Sequence, residues 1–145
     1  MSTAIFPGTF DPFTIGHADI VERGLKIFDK IVIAIGINEG KTPFLPTEQR
    51  LETIKALYSD NPQVEVRTYN GLTTDFATAI GATAILRGVR SLKDFEYERD
   101  IADINHRISG IETVLLFSQP HLAAVSSSVV RELHHFGKDT SEFLP

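Results

Sequence analysis

Five short β-branched or apolar runs alternate along this chain with five amphipathic helical stretches, and Gly, Pro and Asn separate them. The runs are Thr3–Phe6, Ile31–Ile37, Val64–Thr68, Thr83–Leu86 and Thr113–Phe117. The helical stretches are His17–Phe28, Glu48–Tyr58, Thr74–Ile80, Leu92–Ile108 and Ser128–Phe136. In the first, Ile20, Val21, Gly24, Leu25 and Phe28 share one face at three- and four-residue spacing. In the second, Leu51, Ile54, Leu57 and Tyr58 do the same behind Thr47, which reads as an N-cap. Ser91 and Asp94 have capping-box spacing before the long fourth helix. Ile31–Ile37 shows little polar alternation, as a central strand covered on both faces should. Strand–helix alternation of this kind requires a parallel sheet with helices on both faces. We therefore expect one doubly wound α/β domain over residues 1–145 with a five-stranded parallel sheet; the order expected is 3-2-1-4-5, which sets the Gly8–His17 and Arg87–Arg90 loops side by side at the reversal point.

Composition narrows the function classes. A chain of 145 residues builds one real core and is short for two domains. Its formal net charge of −5 argues against a general nucleic-acid binder, which needs a broad basic face. A local basic pocket for a small anion stays compatible with that charge. There is no cysteine, so disulfides, thiol nucleophiles and thiolate metal sites are excluded. The longest apolar run, Ile31 to Ile37, falls far below the roughly 20 residues of a membrane span. The N-terminus enters structure without a leader-like segment, so a cytoplasmic protein is the expectation.

In open parallel sheets, ligands bind at the carboxyl ends of the strands, where the strand order reverses. The unusual residues of this sequence fall at those ends. Pro7-Gly8-Thr9-Phe10-Asp11-Pro12-Phe13-Thr14-Ile15-Gly16-His17 follows the first run, and Asn38-Glu39-Gly40-Lys41 the second. Tyr69-Asn70-Gly71-Leu72-Thr73 follows the third, Arg87-Gly88-Val89-Arg90 the fourth, and a stretch ending Ser126-Ser127-Ser128 the fifth. Gly16-His17 opens a helix, whose unpaired N–H groups suit a phosphate, and His17 would add a donor, or a charge if protonated. On spacing alone this segment reads equally as an ordinary strand–helix loop. It is neither a P-loop nor a dinucleotide fingerprint, since both glycine patterns are missing. Lys41, taken alone, reads equally as a solvated loop lysine. Arg131 reads as a helix cap or a partner of Glu132 or Glu142, and Phe95, Tyr97 and Ile101 as packing or subunit-contact residues. His134 and His135 are adjacent, so they face different sides of a helix and do not form a metal site.

Gly8-Thr9-Phe10-Asp11-Pro12 with Thr14-Ile15-Gly16-His17 resembles the signature of the nucleotidyltransferase superfamily, whose fold is Rossmann-like. Most members carry His-x-Gly-His there. Thr14 in place of the first histidine is similar to the bacterial phosphopantetheine adenylyltransferases. Arg87-Gly88-Val89-Arg90, Asp94-Phe95-Glu96-Tyr97-Glu98 and Val125-Ser126-Ser127-Ser128-Val129-Val130-Arg131 resemble the same family. Family chains continue past Phe143-Leu144-Pro145 into a closing helix, so the resemblance implies either a truncation or a dispensable tail.

That resemblance implies transfer of an adenylyl group from ATP to 4′-phosphopantetheine, giving dephospho-coenzyme A and pyrophosphate in coenzyme A biosynthesis. It implies His17 and Thr9 as catalytic residues, with Thr9 orienting the acceptor phosphate against the α-phosphate. On the ATP side it implies Thr9, Phe10, His17, Gly88, Val89, Arg90 and Glu98. The loop of Leu122, Ala123, Ala124, Val125, Ser126, Ser127 and Ser128 would cover adenine and the outer phosphates. Thr9, Lys41, Thr73 and Arg87 fall on the acceptor side. Mg²⁺ is expected with ATP, no protein metal site is implied, and coenzyme A or dephospho-coenzyme A is implied as product or regulator. The resemblance also implies a homohexamer, in keeping with apolar residues spread around more than one face of Leu92–Ile108. Competing readings are adenylyl or cytidylyl transfer to another small phosphate such as nicotinate mononucleotide, a non-catalytic nucleotide-binding module, and a structural domain. Thr14 and the Arg-Gly-x-Arg then Phe-Glu-Tyr-Glu order count against the first. The convergence of five strand ends counts against the last.

Overall fold

The computed structural model describes residues 1–145 as an alternating β/α chain. In order it runs β1 (Thr3–Gly8), α1 (Ile15–Gly24), β2 (Lys30–Gly36), α2 (Thr47–Leu57), β3 (Val64–Tyr69) and α3 (Thr73–Ala79). It continues with β4 (Ala84–Val89), α4 (Leu92–Ser109), β5 (Glu112–Phe117), a 3₁₀ turn at Pro120–Leu122 and α5 (Ser127–His135). The five strands form one sheet in the order β3-β2-β1-β4-β5, every pair parallel, as expected. The order reverses between β1 and β4. That seam is where a cleft opens in such a sheet.

The two-residue period of each strand sorts its side chains onto two faces. Ile31, Ile33 and Ile35 of β2 and Phe6 of β1 pack with Ile20 and Val21 of α1 and Ile54 of α2 in the larger core cluster. Val32 and Ile5 point the other way, onto Ala77 of α3 with Ile85 and Ile111. Ile5, Ile31, Ile33 and Ile35 are fully buried, each contributing about 1.5–3 kcal/mol of apolar burial. The central strands therefore fix the position of their carboxyl ends firmly, and the site is built on those ends.

Helix ends differ from expectation in instructive ways. Thr47 is the first residue of α2 rather than its cap, which is Pro46; the Thr47 hydroxyl accepts from Arg50 instead. Ser91 does cap α4, its hydroxyl accepting from Asp94 N. The return half of the capping box is missing, because the Asp94 carboxylate accepts from Arg90 N. Helix α4 ends at Gly110, which adopts φ 77°, a left-handed conformation open to glycine at no steric cost. β4 is longer than the β-branched run suggests and carries Arg87 inside the strand. Glu98 is the one buried residue of α4, while Leu92, Tyr97, Ile104 and Ile108 are exposed. No helix is long and apolar enough to cross a membrane.

Candidate active site

Two cavities lie side by side over the carboxyl edge of the sheet, of about 830 and 460 Å³. Pro7, Gly8, Thr9, Arg87, Tyr97 and Glu98 line both, so the cavities meet over β1 and β4. The larger extends across Asn38, Glu39 and Gly40 after β2 and Asn70, Gly71 and Thr73 after β3. The smaller runs over Phe10, Gly16, His17, Gly88, Arg90 and the loop from Leu122 to Ser128.

The smaller cleft is built from two helix starts. Thr14 caps α1, and its hydroxyl accepts from His17 N at 3.4 Å. In return the Thr14 backbone N–H donates to His17 Nδ1 at 2.9 Å. A ring nitrogen that accepts an N–H carries no proton, so a neutral His17 holds its proton on Nε2 and presents a donor. Burial, with the nearby charges of Arg87 and then Arg90, lowers the His17 pKa from 6.5 to about 3. Of the two roles open to this histidine, a donor or a cation if protonated, the lowered pKa favours the neutral donor. Nor is the position a bare helix start, because the ring stacks on Phe13 and meets Phe10 edge-on, with centroids at 5.3 and 4.9 Å.

Across the cleft, Ser126 caps α5 by accepting from Val129 N. Ser127 Oγ donates to Pro12 O at 2.8 Å, tying α5 to the loop before α1. Ser128 Oγ accepts from Arg131 Nη2, whose Nη1 donates to Asp11 O at 2.8 Å. The three hydroxyls are thus committed to the scaffold. What the α5 start offers an anion is its unpaired N–H groups and the positive end of its dipole. Gly16 lies close to Val125 O, so the starts of α1 and α5 face one another. Arg90 and Arg131 add two cations to the same cleft.

The seam between the cavities is held by Arg87. Its Nε and Nη2 donate to the Glu98 carboxylate at 2.7–3.1 Å, and Nη1 donates to Pro7 O. Arg87 and Glu98, expected on opposite sides of the site, therefore form one ion pair lining both cavities. Thr9 is exposed beside them. Phe10 folds back beneath it at φ 51°, and a Cβ on Gly8 would meet its ring at 2.9 Å, so only glycine fits there.

Not every expected residue lines a cavity. Val89 is 3% exposed and lines neither cavity, although its neighbour Gly88 lines the smaller and Arg87 lines both. Ala123 and Ala124 also stand off the cleft, whereas Leu122, Val125 and the three serines line it. Lys41 is exposed on the loop whose Asn38, Glu39 and Gly40 line the larger cavity. Thr73 does line that cavity, its hydroxyl 2.9 Å from Tyr69 OH. Two sequence readings need correction. Tyr97 and Ile101, read as packing or subunit-contact residues rather than site residues, line the larger cavity, because α4 runs along its rim. Arg131 reaches across to Asp11 and the smaller cleft rather than to Glu132 or Glu142, and its place in the Ser-Ser-Ser-x-x-Arg run was the available signal.

A doubly wound sheet whose reversal point joins a two-helix anion site to a second, wider cavity has the architecture of a nucleotidyltransferase. Residues 5–133 match the family described as cytidylyltransferase-like. Over 145 residues the chain is 57% identical to the phosphopantetheine adenylyltransferase of Bacteroides thetaiotaomicron, covering all of this chain and 96% of that one. It is 56% identical over 142 residues to that of Porphyromonas gingivalis, covering 98% and 93% of the two chains. At 47% identity it aligns over its whole length with that of Leuconostoc citreum and covers 92% of it. The chain belongs to the phosphopantetheine adenylyltransferase family and is a nucleotidyltransferase. Its fold is shared with a bifunctional NMN adenylyltransferase/ADP ribose pyrophosphatase from Francisella tularensis, at TM-score 0.73 and 16% identity. That match covers 99% of this chain and 44% of the longer protein.

Proposed function

We propose that the protein transfers an adenylyl group from ATP to 4′-phosphopantetheine, forming dephospho-coenzyme A and releasing pyrophosphate. The observation that carries this reading is the shared wall of the two cavities: Thr9 and Arg87 border both. ATP occupies the smaller cleft, with its phosphates between the starts of α1 and α5 and beside His17, Arg90 and Arg131. The acceptor occupies the larger cleft, its phosphate toward Thr9, Arg87 and the Lys41 loop. An acceptor phosphate oxygen forms a bond to the α-phosphorus. The bond from that phosphorus to the β-phosphate bridge oxygen breaks, and pyrophosphate leaves with the electron pair.

The nucleophile is already an anion, so no protein base is required. Catalysis reduces to positioning and to stabilising charge on non-bridging and leaving oxygens. His17 Nε2–H is a fixed neutral donor for that charge, and Thr9 orients the acceptor oxygen. Mg²⁺ enters with ATP as part of the substrate and neutralises phosphate charge. The donor set suits this, because the three carboxylates of the cleft are already committed, Asp94 and Glu98 to Arg90 and Arg87, and Asp11 to the N–H groups of Phe44 and Leu45. No group of three or more His, Cys, Asp or Glu comes together as a protein metal cage.

The reading takes residues 1–145 as one catalytic domain working in the cytoplasm as a homohexamer, with coenzyme A or its dephospho form as product or regulator. The exposed Tyr97, Ile104 and Ile108, which share one face of α4, support assembly, since an exposed apolar stripe of this kind suits a partner surface. Pyrophosphate release from ATP, measured with phosphopantetheine, with nicotinate mononucleotide and with no acceptor, tests the reaction. Release that depends on phosphopantetheine alone is expected. Release with nicotinate mononucleotide instead would reassign the acceptor.

A further inference from the structure

Three arginines from three elements reach alternate carbonyls of one loop. Arg87 of β4 donates to Pro7 O, Arg50 of α2 to Thr9 O at 2.7 Å, and Arg131 of α5 to Asp11 O at 2.8 Å. Arg87 and Arg131 also line the clefts, where a ligand can meet them. Arg50 lines neither and is 5% exposed. Its remaining bonds run from Nε to Leu45 O at 3.0 Å and from Nη2 to Thr47 Oγ1 at 2.9 Å. No carboxylate forms an ion pair with it. A buried guanidinium without a carboxylate is a costly way to fill space, and an apolar side chain would pack there more cheaply. What Arg50 supplies is geometry.

That geometry joins the two halves of the site. Asp11 is also buried, and its two carboxylate oxygens accept from Phe44 N and Leu45 N, each at 2.8 Å. Leu45 is therefore gripped at its N–H by Asp11 and at its carbonyl by Arg50, and both grips lead back to the Thr9–Asp11 turn. Between those residues, Phe10 sits in the left-handed region at φ 51°. A non-glycine residue there is strained and persists only when its surroundings fix it.

We propose that Arg50 is a positioning residue for the transfer: it holds the Thr9 turn in register and couples it to the Leu45 end of the loop that carries Lys41. The inference rests on the reading of Thr9 as the residue that orients the acceptor phosphate. Small displacements of such a residue cost about a hundredfold in rate. Arg50→Met keeps the stem and removes all the donors, while Arg50→Lys keeps the charge and one head group. Turnover by the Met variant should fall about ten- to hundredfold per folded molecule, with KM for ATP within about threefold of wild type and KM for phosphopantetheine raised. The Lys variant should recover part of the loss. In a Thr9→Ala background, adding Arg50→Met should cost less than about threefold, because residues acting as one unit are not additive.

Folded fraction and thermal midpoint are measured alongside, and if the Met variant does not fold, the Lys variant carries the same comparison. Normal turnover in folded Arg50 variants overturns the proposal. So do losses that multiply with that of Thr9→Ala, which would mean that Arg50 supports the fold alone. A Thr9→Ala enzyme with full turnover overturns the reading of Thr9 itself, and this inference with it.

Discussion

The two cavities are neighbours on one sheet edge, yet they are built differently. In the smaller cleft nearly every polar side chain is committed before a ligand arrives: His17 Nδ1 to the Thr14 N–H, Ser126 to a cap, Ser127 to Pro12 O, Arg131 to Asp11 O. In the larger cavity, the Asn38–Gly40 turn is held by an Asn38 side-chain bond to Gly40 N, and Lys41 is exposed beyond it. Oriented groups that need no reorganisation stabilise developing charge efficiently. Exposed loop groups can instead close on a ligand, paying side-chain entropy as they do. The difference assigns transition-state work to the smaller cleft and capture of the acceptor to the larger one.

The strongest test of that division is His17. Replacing it with Asn removes the fixed Nε2 donor, and turnover should fall about 100- to 1000-fold, the usual scale for one oriented donor. ATP affinity, measured by titration, should change far less. The ring is packed between Phe10 and Phe13, so the thermal midpoint should also drop. Loss of ATP affinity equal to the loss of turnover would break the comparison, since His17 would then act only as a binding group.

A smaller effect should separate the clefts by substrate. Arg90→Ala should weaken ATP and pyrophosphate about ten- to hundredfold, the scale of a charge-assisted hydrogen bond of roughly 1.5–3 kcal/mol. Lys41→Ala should do the same to phosphopantetheine and spare ATP. Isothermal titration of each variant with each ligand reads this directly. Equal weakening of both ligands by both variants would mean that the cavities work as one site.

Sequence legibility follows the same line. The parallel sheet is readable because Ile31–Ile37 carries an apolar run that suits a strand covered on both faces, but that run does not say which strands are neighbours. Gly8, Thr9, His17 and the serine run are readable because they stand at strand and helix ends, where backbone chemistry is exposed. Arg50 and Asp11 are not, since all their side-chain partners but Thr47 Oγ1 are backbone atoms, of residues five to 41 positions away, and backbone atoms leave no mark in a sequence. One trace does exist. Arg50 lies one turn before Ile54 on the apolar stripe of α2, and a cation on such a stripe must find buried acceptors. The Arg87–Glu98 pair was likewise invisible, because eleven residues and a change of element separate its members.

Thr14 offers a finer probe of the same pre-organisation. Thr14→Ala removes the hydroxyl that caps α1, which should cost about 1 kcal/mol of stability in denaturant unfolding. The Thr14 backbone N–H survives the change and still holds His17 Nδ1, so turnover should fall much less than in His17→Asn. A Thr14→Ala enzyme as impaired as the His17 variant would show that the hydroxyl, rather than the main chain, orients the ring.

The smallest expected change is none at all, in the titration of His17. Burial acts first, and the charges of Arg87 and Arg90 add to it, placing its pKa at about 3 instead of 6.5. In the unfolded chain the same imidazole takes up a proton near pH 6.5. Between those values the unfolded state binds more protons, so stability rises with pH across the window. The contribution is complete above pH 6.5 and is lost as pH falls toward 3. In the free enzyme, the His17 ring resonances should therefore stay fixed from pH 8 to about pH 5, and unfolding free energy should begin to fall below about pH 6.5. His17→Asn should remove its share of that slope. A ring that titrates near 6.5 would mean the imidazole is solvated and able to carry charge, and the contrast between a committed cleft and an adaptable one would lose its central residue.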